Sequence, residues 1–94
     1  PAIKTTNNSW IYGNKNFSYD TMVRYGLVSY VNNPASSSRA GTNPIVVKAL
    51  KADGQDVPVN AVISLDDANR ILAENQTAHF LNRCAVVFVI DAND

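Results

Sequence analysis

Two residues with the potential for nucleophilic or acid–base chemistry, His79 and Cys84, each occur once in the sequence. A cysteine becomes a nucleophile when an imidazole within hydrogen-bonding reach removes its proton and a third group orients the ring. Cys84, however, opens an apolar run, residues 84–90, where a thiol usually packs as a small hydrophobic side chain. One cysteine and one histidine are also too few for a Cys/His zinc site. We therefore predict a protein that is not an enzyme and that binds neither a cofactor nor a metal.

Two pairs of carboxylates, Asp53 with Asp56 and Asp66 with Asp67, have the composition of a cation site or of an acid and base pair. The first pair lies in a turn sequence, where Asp hydrogen-bonds to its own backbone. The second pair follows Ser64 and falls in the first turn of a predicted helix, where the helix dipole favours negative charge. Neither pair has the spacing of a calcium-binding loop. Local roles therefore explain both pairs.

A long loop, residues 32–44, carries a candidate ligand site. It contains two prolines, a glycine and three consecutive serines, which exclude a regular helix or strand. Arg39 lies near its middle, and a guanidinium, hydroxyls and main-chain N–H groups all donate hydrogen bonds to anions. The candidate anion-binding residues are Ser37, Ser38, Arg39 and Thr42. They support one alternative function, a small inhibitor or sponge protein that binds an anionic ligand such as a nucleotide.

Aromatic and basic residues are interleaved in the N-terminal half of the chain. This composition is typical of an aromatic subunit interface, and also of a stacking platform for single-stranded nucleic acid. Eight basic and eight acidic residues cancel in the sequence, which argues against a dedicated nucleic-acid-binding protein. We therefore predict protein contacts. The predicted interface residues are the aromatic anchors Trp10, Tyr12 and Tyr19 and the steering charges Lys15, Arg24, Asp53, Asp56 and Asp91.

The order of charges along the chain separates the two signs. Residues 1–52 carry six basic residues and one acidic residue, whereas residues 53–94 carry two basic and seven acidic residues. If the two halves form different faces, the positive face of one copy meets the negative face of the next in a head-to-tail contact. The alternative is that the halves interleave in one sheet and their charges neutralise each other within the monomer.

The overall composition favours a protein that associates with other copies of itself. Charged residues make up 17% of the chain and asparagine occurs twelve times, so the surface is covered with uncharged polar groups. Such groups exchange water for a partner's hydrogen bonds without the desolvation of an ion. We predict a non-enzymatic, self-associating structural or interaction protein. By analogy of composition, a small virion component of a virus or phage fits this description.

The sequence contains no membrane span and no secretion signal. The longest unbroken apolar run, residues 84–90, has seven residues, whereas a membrane helix needs about 20. Residues 1–8 lack the apolar region of a signal peptide. We expect a protein that does not enter membranes. Either it is intracellular or a leader was removed before residue 1, so its location stays open, with a virion or the cytoplasm of a host cell as the expected places.

The predicted fold is α+β, with a small, mainly antiparallel sheet of four to six strands and one amphipathic helix, in a single domain over residues 1–94. Residues 1–9 are mostly polar and are predicted to form an extended arm that packs on a partner or docks as an edge strand on its own domain. Residues 21–31 are rich in β-branched and aromatic types, which predicts a strand that bulges at Gly26.

The remaining elements follow from turn and cap signals. Asp53-Gly54 between two β-rich runs predicts a tight hairpin. Ser64 is a good N-cap residue and begins a predicted helix over residues 65–75, with an apolar stripe of Leu65, Ala68, Ile71 and Leu72. Residues 84–90 are continuously apolar, which predicts a central strand that is buried on both faces.

Overall fold

A computed structural model describes residues 1–53 and 59–90 of the chain. The fold is α+β, as predicted. In order, its elements are β1 (Ile3–Thr5), β2 (Trp10–Tyr12), α1 (Tyr19–Tyr25), β3 (Ser29–Val31), β4 (Lys51–Asp53), β5 (Asn60–Ile63), α2 (Leu65–Ala78) and β6 (Val87–Val89). Short 3-10 turns lie at Asn14–Asn16, Pro34–Ser36 and Leu81–Arg83.

The strands form two sheets. The larger sheet has the order β2-β1-β5-β4, in which β1 is antiparallel to β2 and parallel to β5, and β4 is antiparallel to β5. The smaller sheet pairs β3 with β6 in parallel. In the larger sheet two of the three pairings are antiparallel, which is roughly compatible with the predicted mainly antiparallel sheet of four to six strands. The strand pairing is mixed, however, and the described residues form two helices where one was predicted. Parallel strands that pair come from distant parts of the chain. No turn sequence between them can therefore predict the pairing.

The predicted N-terminal arm, residues 1–9, is not an arm but contains β1. This strand lies between β2 and β5 inside the larger sheet. Ala2, Ile3 and Thr5 are buried, with at most 8% of each residue exposed. The Ala61 N–H also donates to the Ala2 carbonyl over 2.8 Å. Because the pairing partner is almost 60 residues away in the sequence, the polar appearance of the segment conceals an internal strand.

Helix α1 replaces the first half of the strand predicted over residues 21–31. The Ser18 hydroxyl accepts a hydrogen bond from the Thr21 N–H at 3.2 Å and caps the helix. Gly26, at φ 69°, ends it, and its N–H donates to the Met22 carbonyl. The predicted bulge at Gly26 is therefore a helix C-cap. Two cap residues outweigh the strand preference of the residues between them.

Helix α2 confirms the predicted helix and extends past residues 65–75 to Ala78. The Ser64 hydroxyl accepts from the Asp67 N–H at 3.1 Å, as the sequence predicts. His79, at φ 55°, takes the left-handed conformation that ends the helix. Neither helix in the described part of the chain is long and apolar enough to cross a membrane.

The predicted hairpin is confirmed only as the antiparallel pairing of β4 with β5. Asp53 is itself a strand residue and lies opposite Asn60, so Asp53-Gly54 is not the two-residue turn of a tight hairpin. Gly54 lies outside the described residues. The predicted loop, residues 32–44, is part of a longer connection that runs from β3 to β4.

The hydrophobic core is built by residues of the larger sheet, of α2 and of the segments around Leu27 and residues 81–84. Of the predicted helix stripe, Ala68 and Ile71 are buried, whereas Leu65 and Leu72 are 48% and 40% exposed. The core cluster consists of Ile3, Tyr12, Leu27, Ile63, Ala68, Ile71, Leu81 and Cys84.

Strand β6 is not the central strand that residues 84–90 predict. Within the described residues it pairs with β3 alone. Val86 and Phe88 pack against the core, whereas Val89 is 51% exposed. The apolar run is therefore an edge strand with one face against the core and one face toward solvent.

Candidate functional site

The predicted contact residues Trp10 and Lys15 lie together beside the outer strand β2. The Lys15 Nζ is 4.7 Å from the centre of the Trp10 ring. The Nζ of Lys4, on the neighbouring strand β1, is 5.6 Å from the same ring. Both distances are within the range of a cation–π interaction. Lys4 is not among the predicted interface residues, although it is one of the basic residues that interleave with the aromatic ones.

The backbone around Gly13 holds the Trp10 indole in place. A methyl group at Gly13 would lie 2.4 Å from Cζ2 of the indole, so only a glycine allows this approach. The Gly13 N–H donates to the Asn16 Oδ1 at 3.0 Å. The indole Nε1 donates to the same oxygen at 3.4 Å. Trp10 is thus a preformed, half-buried aromatic surface flanked by two ammonium groups.

Tyr12, predicted as an interface anchor, is a core residue instead. It is 1% exposed, and its hydroxyl donates to the Leu27 carbonyl at 2.7 Å. Its ring packs edge-on against Phe17, with 5.6 Å between the ring centres. Burial, together with the nearby Cys84 thiol, raises the pKa of Tyr12, and the Arg39 guanidinium opposes that shift. Its burial removes Tyr12 from the contact residues.

Tyr19 and Arg24 are both on α1 and both face solvent. Tyr19 is 75% exposed. Val23 is one helical turn from Tyr19, so the two share a face, and it is 67% exposed. Val23 is not among the predicted interface residues, because the segment was predicted to be a strand and not a helix. Together Tyr19 and Val23 form the α1 patch.

One predicted acidic contact residue, Asp53, lies far along the larger sheet from the basic Trp10 group. Asp53 is on β4, at the opposite edge of the larger sheet from Trp10 on β2. Lys51 is on the same edge strand, so this edge is not uniformly acidic. Asp56 and Asp91 lie outside the described residues. For this one pair, Asp53 and Lys15, the opposite charges lie toward opposite edges of the larger sheet.

Arg39, the centre of the predicted anion site, makes internal hydrogen bonds. Its guanidinium donates to the carbonyls of Tyr25 at 2.8 Å, Gly26 at 3.3 Å and Cys84 at 3.4 Å. These carbonyls belong to the end of α1 and to the segment before β6. The guanidinium therefore joins two parts of the fold, and the anion-binding role of this loop stays a prediction.

The other predicted anion-binding residues do not converge around a free cation. The Ser37 hydroxyl accepts from the Arg39 N–H at 3.1 Å, and the Ser38 carbonyl accepts from the Gly41 N–H. Ser38 and Thr42 are exposed. The loop uses its polar groups to fix its own turns, which is the ordinary role of serine there.

His79 and Cys84 occupy different environments. Cys84 is buried in the core cluster, whereas His79 is exposed at the end of α2. In residues 1–53 and 59–90, no group of three or more His, Cys, Asp or Glu side chains could hold a metal ion. A shallow, open depression beside α1 is lined by Thr21, Tyr25, Asn82, Arg83 and Cys84. Its lining does not include His79, so the depression does not assemble the cysteine–histidine pair.

Residues 1–92 match a family described as Treponema pallidum Tp0624, second domain. The chain belongs to this family. Neither the search of curated proteins nor the search of solved structures returned a match to the chain.

This member of the Tp0624 second-domain family therefore has surfaces for contact as its candidate sites. They are the Trp10 group beside β2, the α1 patch, and the exposed face of β6 at Val89. Val89 was missed because the sequence predicts burial of both faces of its strand. Each of these surfaces presents a large apolar or aromatic side chain, and the Trp10 group also carries two ammonium groups.

Proposed function

We propose that this domain is a non-enzymatic protein-interaction domain that associates with other copies of itself. The carrying observation is the α1 patch, where Tyr19 and Val23 are 75% and 67% exposed side by side on one helix. Exposed apolar side chains that occur singly are ordinary, but adjacent ones mark sites of contact. Full burial of such side chains is worth about 1.5–3 kcal/mol each.

Charges beside the apolar residues support association between copies. Arg24 follows Val23 on α1, and the Trp10 group adds Lys4 and Lys15. Asp53 lies at the other edge of the larger sheet. Opposite charges on different parts of one molecule attract a second copy, and they fix its orientation more than they strengthen binding.

The surface composition supports the same proposal. Twelve asparagines and a charged fraction of 17% leave a surface whose polar groups can hydrogen-bond to a partner at little desolvation cost. The attribution to a virion came from this composition by analogy alone, and it stays a prediction.

The proposal is tested by light scattering, with the molecular mass measured over a concentration series at low and at high salt. We expect a mass above the 10.2 kDa of the monomer that rises with concentration. We also expect salt to lower it, because the Debye length shrinks to about 3 Å at 1 M. A mass that stays at 10.2 kDa at every concentration would contradict the proposal.

The contact assignment is tested by a double variant, Tyr19→Ser with Val23→Ser. We expect weaker association with no loss of folded structure, because both side chains are mostly exposed. The matched control is Val46→Ser, which removes a valine that is 77% exposed outside the helices and strands. If the control weakens association as much as the double variant, the α1 patch is not a specific contact.

A further inference from the structure

The larger sheet has one side toward the core and another side that carries basic residues. Ile3 on β1 and Ile63 on β5 belong to the core cluster together with residues of α2. Successive side chains of a strand point to opposite sides of the sheet, so Lys4 and Val62 point away from that core. Val62 is buried but lies outside the core cluster. We call this second side of the sheet, with Lys51 on β4, the basic face.

The strand register aligns four residues in a row across the basic face. Lys4 lies opposite Trp10 of β2 and, on its other side, opposite Val62 of β5. Val62 in turn lies opposite Lys51 of β4. Neighbouring strands are about 4.8 Å apart, so the backbones at Lys4 and Lys51 are about 10 Å apart. The row thus has an aromatic residue at one end and two lysines spaced along it.

A break in the strand register directs Trp10 to the basic face. Residues two apart in a regular strand share a face, which would place Trp10 in the core beside Tyr12. The register instead shifts between Ile3, which is opposite Tyr12, and Lys4, which is opposite Trp10. Bulges of this kind re-aim a side chain and are over-represented beside active sites. Trp10 therefore joins the lysines although Tyr12 is buried.

The indole of Trp10 lies against the backbone at Gly13 and has ammonium groups over its ring. A methyl group at Gly13 would lie 2.4 Å from Cζ2 of the indole and 3.2 Å from the Ala2 Cβ. The Nζ atoms of Lys15 and Lys4 lie 4.7 Å and 5.6 Å from the ring centre. Exposed cation–π contacts are weak. A planar ligand that stacks on the indole can therefore displace the ammonium groups, which then bind the negative charges of that ligand.

We propose that the basic face binds single-stranded nucleic acid, with one base stacked on the Trp10 indole and phosphates of neighbouring nucleotides on Lys4, Lys15 and Lys51. A basic surface with an aromatic ring on which bases stack is how proteins bind single strands without sequence preference. The row crosses four strands, or about 14 Å, and therefore contacts several nucleotides. The proposal goes beyond self-association and uses a surface separate from the α1 patch.

The neutrality of the whole chain does not oppose a local site of this kind. Zero net charge argues against a protein that is basic throughout, whereas the strand register brings together lysines from distant segments. Among the described strand residues of the larger sheet, Asp53 is the one acidic side chain, and it shares a face with Lys51. An acidic protein surface would use the lysines without the indole, so the stacking surface favours nucleic acid.

The first test titrates the wild type with an oligothymidylate of about ten nucleotides, a length within the site size of small single-strand-binding folds. We expect binding that quenches the fluorescence of Trp10, the single tryptophan of the chain. Thymidine monophosphate should bind far more weakly, because it reaches one end of the row only. Poly-glutamate, an anion without a planar ring, should not quench. No binding of the oligonucleotide at low salt would overturn the proposal, and equal affinity for poly-glutamate would indicate an acidic protein partner in its place.

The second test counts the lysines through the salt dependence of binding. For single strands the logarithm of the association constant falls with the logarithm of salt concentration, with a slope of about −0.7 per neutralised phosphate, so three lysines predict about −2. Lys51→Gln should reduce the slope to about −1.4. The control Arg70→Gln removes an exposed charge from α2, which packs on the other side of the sheet, and should leave the slope unchanged. Equal slopes for the wild type and Lys51→Gln would contradict the assigned row.

The third test separates stacking from structure. Trp10→Leu keeps an apolar side chain over Gly13 but lacks an aromatic ring, and we expect its dissociation constant for the oligonucleotide to rise about tenfold. Trp10→Phe should recover most of the affinity, and Asp53→Asn should increase it above that of the wild type. Circular dichroism verifies that the variants are folded. A folded Trp10→Leu variant that binds as tightly as the wild type would contradict stacking on the indole.

One variant separates this inference from the proposed function. The double variant Tyr19→Ser with Val23→Ser removes the α1 patch and should bind the oligonucleotide as the wild type does. A wild type that stays monomeric but binds the oligonucleotide would refute self-association and support this inference. A wild type that associates but binds no oligonucleotide would do the reverse.

Discussion

The hydroxyl of Tyr12 donates a hydrogen bond to the carbonyl of Leu27 at 2.7 Å, which joins β2 in the larger sheet to the residues that lead into β3 in the smaller one. Both residues are buried, at 1% and 7% exposure. The bond therefore ties the larger sheet to the segment between α1 and β3. A residue that looks like a surface aromatic in the sequence is thus a structural link between the sheets.

We expect Tyr12→Phe to lower the free energy of unfolding by about 1–2 kcal/mol, because the buried Leu27 carbonyl loses its donor. In a domain of this size each kcal/mol corresponds to a fall in Tm of roughly 4–8 °C. Thermal and urea unfolding measure the change. The control Tyr19→Phe removes a hydroxyl from a side chain that is 75% exposed and should change stability little. An equal loss of stability in both variants would contradict a stabilising role for the hydrogen bond from Tyr12 to Leu27.

Alkaline pH should destabilise the domain through the same residue. Burial, with a further contribution from Cys84, raises the pKa of Tyr12 above its ordinary value of 10.0. The folded state therefore holds the phenolic proton more tightly than the unfolded state does. The stabilisation is complete below about pH 10 and is lost as pH rises toward the folded-state pKa. Urea unfolding of the wild type and Tyr12→Phe between pH 8 and pH 11 should show the steeper decline in the wild type.

Arg39→Ala should destabilise the domain by about 2–3 kcal/mol, because three carbonyls lose a charged donor. Arg39→Lys should recover little, since a single ammonium group cannot span carbonyls on two segments as a guanidinium does. Urea unfolding measures both variants, and Arg70→Ala on the exposed side of α2 is the control.

In parallel, phosphate titration should detect no difference between Arg39→Ala and the wild type. A loss of phosphate binding in the variant would support the alternative function, an anion site at Arg39.

Gly13→Ala should move the Trp10 indole, because the new methyl group would lie 2.4 Å from its Cζ2 atom. We expect a loss of about 1–3 kcal/mol and a shift in the fluorescence of the chain's single tryptophan. The control Gly41→Ala meets no atom within 4 Å but has φ +84°. It should cost stability through its backbone alone and leave the fluorescence unchanged. Identical spectra for wild type and Gly13→Ala would contradict the packing described for Trp10.

Ser64→Ala removes the N-cap of α2, whose hydroxyl accepts from the Asp67 N–H. The expected loss is about 1 kcal/mol, measured by thermal unfolding followed by circular dichroism. Ser36→Ala, at an exposed serine in a 3-10 turn, should have no comparable effect. A stability equal to that of the wild type would mean that α2 is held by its packing and not by its cap.

Local signals were sufficient where the interacting groups are neighbours in the sequence. The Ser64 cap and the acidic first turn located α2, and the strand runs around Asp53-Gly54 located the β4–β5 hairpin. Local signals also existed for α1, in Ser18 and Gly26, but the strand preference of the residues between them concealed the helix. The pairing of Trp10 with Lys15 is likewise local, since the two are five residues apart.

Long-range pairing decided the remainder. The sequence of β1 is polar enough to look like an arm, and its burial depends on β5, almost 60 residues away. Arg39 resembles an anion ligand among serines until the fold brings the carbonyls of Tyr25 and Cys84 to its guanidinium. Tyr12 became a core residue for the same reason, because the partner of its hydroxyl lies 15 residues further along the chain.

By itself, the sequence determined an α+β domain with a capped C-terminal helix, one hairpin, a charge-poor surface and an apolar final strand, because propensity, capping and turn chemistry act over a few residues. Only the tertiary structure decided that β1 is internal, that β6 lies at an edge, and which aromatic residues remain exposed. Those outcomes depend on which distant segments pair, and the free energy of that pairing comes from side chains and main-chain groups that no short stretch of sequence contains.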